Sequence, residues 1–93
     1  MPLVRTAAKF RMGQLLITRG AAPLLSTDEV LKALRRHLDG DWGDVCDVDR
    51  LANDEALNSG GRLFSVYHAD EHRFWVITEA DRSVTTILLP EEY

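Results

Sequence analysis

The chain has one cysteine, three prolines and only two Trp, two Tyr and three Phe in 93 residues. Each scarcity excludes something. A lone thiol closes no internal disulfide, so a packed core has to hold the fold, and a reducing compartment suits it. Cys46 has no second cysteine or basic neighbour to activate it and is expected as a small buried or half-buried apolar residue. No apolar run approaches the roughly 20 residues that span a bilayer. Arg5, Lys9 and Arg11 are followed by no apolar core or small-residue cleavage site, so no secretory signal is read and a cytoplasmic location is expected. What is present, 45% apolar and 28% charged residues, is the composition of one folded domain over residues 1–93, with 1–9 loosely ordered.

Charge is unevenly spread. Met1 to Arg36 holds seven Lys/Arg against two acids, a net of +5, whereas His37 to Tyr93 holds four Arg against thirteen acids, a net of −9. The overall −4 therefore hides a dipolar chain. Such asymmetry steers a charged partner towards one side.

The local signals fall in a clear order. Gln14 to Thr18, between Gly13 and Gly20, is short and β-branched at its end, which reads as a strand. Ser26-Thr27-Asp28-Glu29 is the best helix start: Ser26 caps, Glu29 reaches back, and acids fill the first turn. The spacing predicts a helix over Thr27 to Leu38 with Val30, Leu31, Leu34 and Leu38 inward. Arg35, Arg36 and His37 sit in its last turn and Gly40 closes it. After the compact turn Asp39 to Asp44, Asp47 or Asp49 caps a second helix to about Asn58, with Val48, Leu51, Ala52, Ala56 and Leu57 as a weaker apolar stripe. Asn58-Ser59-Gly60-Gly61 ends it.

Arg62 to His68, His72 to Glu79 and Ser83 to Leu89 read as a three-stranded antiparallel meander turning at Asp70-Glu71 and Asp81-Arg82. Those turns set Val66 opposite Trp75, Phe64 opposite Ile77, Ile77 opposite Thr86 and Trp75 opposite Leu88. One face then carries Phe64, Val66, Trp75, Ile77 and Leu88. The other carries Leu63, Ser65, Tyr67, Phe74, Val76, Thr78, Thr85, Ile87 and Leu89. Neither is wholly polar, so either the first strand and both helices wrap the sheet or one face meets another chain. Trp75 and Ile77 are expected in the core. The fold class is α+β, in the order strand, two helices, three-stranded meander (β-α-α-β-β-β).

Gly40-Asp41-Trp42-Gly43, Asn53, Gly61-Arg62-Leu63, Tyr67, the run Trp75 to Ser83 and the ending Thr85 to Tyr93 resemble a family of small bacterial proteins carried on plasmids, phages and integrated elements. The likeness runs from Gly13 onward, with ITEADRS and TTILLPEEY its most specific parts. The family brings no catalytic residues with it. What it implies is a habitat rich in small inhibitors of host defence, anti-CRISPR and anti-restriction proteins among them.

His68 and His72 fall on opposite faces of their hairpin and cannot share an ion. Asp39 to Arg50 fails the calcium-loop pattern at its glycine and at its last ligand. A DNA-reading second helix would bring Asp47, Asp49, Asp54 and Glu55 to phosphates with only Arg50 to offset them. Ser83, His37 and Asp81 lack any nucleophile elbow. No cofactor or metal is expected.

The reading that remains is a non-enzymatic binding protein of a mobile element, occupying a host-defence or nucleic-acid-handling protein. Seven acids across Asp39 to Glu55 place about one charge per 3.6 Å of helix, a partial imitation of duplex DNA with one per about 1.7 Å. The expected contacts are Asp39, Asp41, Asp44, Asp47, Asp49, Asp54 and Glu55, with Trp42 as an exposed aromatic anchor. The hairpin tip Glu79, Asp81 and Arg82 adds to them. The partner is a host protein with a basic nucleic-acid-binding surface; direct binding of duplex DNA or of a membrane is not expected. The alternatives are a small enzyme or nuclease, told by a closed pocket of converging His, Asp and Arg, and a structural homo-oligomer that buries the spare sheet face.

Overall fold

The capping box is built as the sequence spells it: the Glu29 N–H donates to Ser26 Oγ at 3.1 Å and the Ser26 N–H to Glu29 Oε1 at 2.8 Å. A computed structural model describes residues 8–93. In it strand β1 (Gln14–Ile17) precedes helices α1 (Thr27–Leu38) and α2 (Asp47–Ser59), and strands β2 (Leu63–Ala69), β3 (His72–Thr78) and β4 (Val84–Leu88) follow. Short 3₁₀ turns occupy Ala22–Leu24 and Pro90–Glu92. The fold is α+β, as expected. The loosely ordered stretch read over 1–9 falls mostly outside the described residues, although Lys9 is tied by its N–H to the Leu38 carbonyl at 2.9 Å.

The cap of α2 differs from expectation. Cys46, with extended backbone and no side-chain cap bond, is its N-cap, and Asp47 is the first helical residue. Placed at the outer end of a helix, Cys46 is exposed rather than buried. Asp47 and Asp49 still occupy the first turn, where the helix dipole favours them. Gly60, with φ 85°, closes the helix in the left-handed conformation.

The meander takes the register read from its turns: Val66 faces Trp75, Phe64 faces Ile77, Ile77 faces Thr86 and Trp75 faces Leu88. The sheet order is β1-β4-β3-β2, with β1 parallel to β4, so the sheet is mixed rather than purely antiparallel. Gln14 N–H to the Ser83 carbonyl and Thr18 N–H to that of Ile87 fasten β1.

The core lies on the face that carries Tyr67, Phe74, Val76 and Ile87, where Val30, Ala33 and Leu34 of α1 pack with Ala21 and Leu25. A second cluster joins Trp42, Ala56 and Leu63 to Phe10, Val45 and Leu57. Trp75 is therefore not at the centre of the core. It is half-buried on the opposite face, edge-on to Phe64 and to Tyr93 with ring centroids 5.0 and 5.5 Å away. That face buries Val66, Ile77 and Leu88 and is bordered by the C-terminal Tyr93 and by Asp49 of α2. Leu31, expected inward, is 54% exposed because α1 settles on the Val30-Ala33-Leu34-His37 line instead.

Two devices close the β2 edge. The Asn53 side chain imitates a neighbouring strand, donating to the Phe64 carbonyl at 2.7 Å and accepting its N–H at 3.0 Å. Beside it the Trp42–Asp44 segment bridges Val66, whose N–H bonds the Trp42 carbonyl at 3.0 Å while its carbonyl accepts from the Asp44 N–H at 2.9 Å.

Candidate functional site

The turn from Asp39 to Asp44 is held from three sides. The Arg36 guanidinium grips Asp41 through contacts of 2.8 and 3.2 Å, a hydrogen-bonded pairing that keeps the carboxyl below its usual range. Tyr67 donates its hydroxyl to the Asp41 carbonyl at 2.6 Å, with Arg36 lying 4.7 Å over its ring. Trp42, expected as an exposed anchor, is only 3% exposed. Its indole N–H donates to Asp54 at 2.9 Å, which satisfies the one polar atom and lets the rest of the ring pack against Phe10 and His37. It is therefore withdrawn from any partner surface.

The acids do not form one continuous patch. Asp39 is the C-cap of α1, Asp44 pairs with His68 at 2.7 Å and Asp47 with Arg50 at 2.7 Å. Asp49 borders a hollow of about 250 Å³ with Arg62, Phe64, Trp75 and Tyr93. Asp54 serves Trp42, and Glu55 is exposed on α2. Spaced by 100° per residue, Asp49 and Glu55 leave α2 in different directions, whereas Asp47 and Asp54 share one flank. The string of charge along a DNA-like line is thus broken up.

At the hairpin tip Glu79 pairs with Arg62 at 3.2 Å. Asp81 accepts the Ser83 hydroxyl at 2.6 Å and the Ser83 N–H at 3.0 Å, bonds that hold its carboxyl below the usual range. Arg82, expected to reach a partner, turns inward. Its backbone is left-handed, with φ 63°, and its guanidinium donates to the carbonyls of Gly61 at 2.6 Å, Ala56 at 3.0 Å and Glu79 at 3.1 Å. Three carbonyls close together, one at the negative end of α2, are what a forked cation fits. Arg82→Ala is expected to cost roughly 2 kcal/mol in urea unfolding, and Arg82→Lys to recover little, because an ammonium on a flexible stem cannot span all three.

His37, expected as a cation in the last turn of α1, belongs to the interior instead. It is fully buried. Its Nε2 lies 2.9 Å from Thr78 Oγ1 and its Nδ1 2.6 Å from Ser65 Oγ. Thr78 Oγ1 is 2.7 Å from Thr85 Oγ1, which donates to the Met12 carbonyl at 2.7 Å. The last bond fixes the directions as far as the ring. Thr85 spends its proton on Met12, so it accepts from Thr78, and Thr78 accepts from His37 Nε2–H. Burial keeps the ring neutral, so Nδ1 accepts from Ser65. Burial, with the Arg82 guanidinium nearby, pushes the His37 pKa down to about 4. The signal was present: His37 continues the Val30-Ala33-Leu34 line, and Ser65, Thr78 and Thr85 share one sheet face.

Helix α2 is also rotated relative to the expected apolar stripe. The inward side of the helix is Asn53, 3% exposed, with Ala56 and the half-buried Leu57. Val48 and Leu51, expected to pack inward, stand 75% and 64% exposed. Asn53 explains this, because its two bonds to the β2 edge fix the rotation of the helix. Val48, Leu51, Ala52 and Glu55 fall at i, i+3, i+4 and i+7, the spacing of a helix face offered to a groove.

No helix among the described residues is long and apolar enough to cross a membrane. Comparison of the chain with protein-family models, with curated proteins and with solved structures returns no match.

Proposed function

We propose that this protein is a non-enzymatic binding protein of a mobile genetic element, and that it acts by occupying a host-defence or nucleic-acid-handling protein. The observation that carries the reading is the ridge of α2. Val48 and Leu51 are the two most exposed large aliphatic side chains among the described residues, on a helix whose other side is already anchored. Around them stand Asp47, Asp54 and Glu55, with Arg50 the one cation of the helix. An apolar ridge ringed by acids fits an apolar groove rimmed by Lys and Arg. The likeness to plasmid- and phage-borne proteins supports the same direction. A hydrolytic role finds less support, because both nitrogens of His37 are engaged inside the protein.

Relative to the acidic patch expected from the sequence, the contact surface is narrower and more apolar. Trp42 and Arg82 leave it and Val48 and Leu51 enter it. A double variant, Val48→Ser with Leu51→Ser, is expected to change stability by less than about 0.5 kcal/mol, since neither side chain is buried. Immobilised beside the parent chain and exposed to a bacterial host lysate, it should fail to retain a protein that the parent retains. Asp47→Lys with Glu55→Lys should weaken the same capture and flatten its dependence on salt. Retention of the same proteins by parent and double variant would remove the ridge from the interface.

A further inference from the structure

The sheet face opposite the main core carries an aromatic corner. Phe64 on β2 and Trp75 on β3 stand edge to face, with ring centroids 5.0 Å apart and planes at 89°. Tyr93 meets Trp75 at 5.5 Å and 64°. All three rings line one hollow of about 250 Å³, together with Ile77, Arg62 and Asp49. Phe64 and Trp75 are half-buried and Tyr93 is 68% exposed, so the hollow opens to solvent. Its volume lies below the roughly 300–1,000 Å³ of sites that take drug-sized ligands, which limits an occupant to a compact head group.

The walls are held in place before anything binds. Arg62 donates to the Tyr93 hydroxyl at 2.8 Å and lies 5.6 Å over that ring, while Glu79 takes up its charge at 3.2 Å. Phe64 is tied through both its backbone groups to the Asn53 side chain. With Arg62 and Glu79 paired, the charge left at the hollow is that of Asp49, which has no ion-pair partner among the described residues.

We infer that this corner binds a quaternary ammonium group, with Phe64, Trp75 and Tyr93 as an aromatic cage and Asp49 as the counter-ion. The face of each ring is the negative side of its quadrupole and attracts a cation. Rings set at steep angles to one another wrap a rounded cation, whereas a nucleobase stacks on a flat shelf. A primary ammonium or a guanidinium brings several N–H donors that need acceptors. The hollow offers them only the Asp49 carboxylate, since the Tyr93 oxygen already accepts from Arg62. A quaternary ammonium has no N–H to satisfy, so ring faces and one carboxylate suffice. An anion is opposed by Asp49. The site uses neither Val48 nor Leu51, so it stands or falls apart from the α2 ridge.

Calorimetric titration of the full chain tests this with choline, with a peptide carrying trimethyl-lysine, with the same peptide carrying plain lysine, and with the uncharged tert-butyl analogue of choline. A quaternary ligand should bind about tenfold or more tightly than plain lysine and than the uncharged analogue. Choline matching the methylated peptide supports the site and assigns it to a free small molecule; a preference for the peptide supports it and assigns it to a methylated side chain of a partner. Tyr93→Leu should lose about tenfold and Tyr93→Phe much less, because the ring is what the cation meets. Asp49→Asn should weaken the quaternary ligands by about threefold and leave the uncharged analogue unmoved. Tyr93 and Asp49 are both exposed, so circular dichroism should not change in these variants. No binding of any quaternary ligand at about ten millimolar would overturn the inference. So would an uncharged analogue that binds as well as choline, or quaternary binding indifferent to Tyr93→Leu.

Discussion

Replacing His37 by alanine is expected to cost about 4 kcal/mol in urea unfolding, because it opens a cavity at the centre of the core and strands two buried hydroxyls. Ser65 loses its acceptor and Thr78 its donor, both with no solvent exposure. An unmade hydrogen bond in such a place costs about 1–3 kcal/mol, more than a made one contributes. His37→Gln retains an acceptor and a donor and should recover part of the loss. If alanine costs no more than about 1 kcal/mol, the chain of hydrogen bonds is not what holds α1 to the sheet.

The same residue sets a pH dependence whose sign follows from its protonation. In the folded protein His37 is neutral down to about pH 4, whereas in the unfolded chain it takes a proton near its ordinary 6.5. Between those values the unfolded state binds more protons, so stability falls as the pH falls. A difference of about 2.5 pH units corresponds to roughly 3 kcal/mol, fully present above pH 6.5 and lost by about pH 4. Arg82 reinforces the effect, since a cation nearby opposes a second one. Asp41 and Asp81, whose carboxyls are held low by Arg36 and Ser83, lose their contributions in a more acid window than His37. Unfolding free energies at pH 7, 6 and 5 should therefore decline in the parent and stay nearly level in His37→Gln. Parallel slopes in the two proteins would assign the pH dependence elsewhere.

What the sequence made legible is what neighbouring residues decide. Ser26 and Glu29 are three positions apart, and the turns at Asp70-Glu71 and Asp81-Arg82 pin the meander because a hairpin's register follows from its turn. The remainder depended on partners distant along the chain. Nothing near Gln14–Ile17 announces that it will lie parallel to β4, seventy residues on. Both sheet faces offered apolar residues, and the choice between them was made by polar ones, with His37 matching Ser65 and Thr78. Trp42 looked like an anchor because its acidic turn is polar, yet Asp54 meets its N–H twelve positions later. Arg82 looked free because a hairpin tip normally faces water, yet the end of α2 lies within its reach. The candidate surface shifted for the same reason: Asn53 sets the rotation of α2, and that rotation brings Val48 and Leu51 outside.

Gly43→Ala is expected to cost at least about 3 kcal/mol, from an unfavourable left-handed backbone conformation and a direct clash. Gly43 sits at φ 73°, and a Cβ there would fall 2.0 Å from the Val66 carbonyl oxygen and 2.8 Å from Tyr67 Cδ1. The oxygen cannot withdraw cheaply, since it accepts the Asp44 N–H that closes the β2 edge. Gly60→Ala is the control. Its φ of 85° is as left-handed, but an added Cβ meets nothing within 4 Å. It should therefore cost only the conformational part, about 1–2 kcal/mol. The difference between the two variants isolates the contact between the turn and β2. Hydrogen exchange locates it further, because in Gly43→Ala the Asp44 and Val66 amides should lose protection ahead of those between β3 and β4. Equal losses in the two variants would mean that the turn yields without disturbing the edge. A larger loss at Gly43 makes this glycine the reason the chain can lay the Trp42–Asp44 segment against β2, bury the indole behind it and leave β1 as the one open edge of the sheet among the described residues.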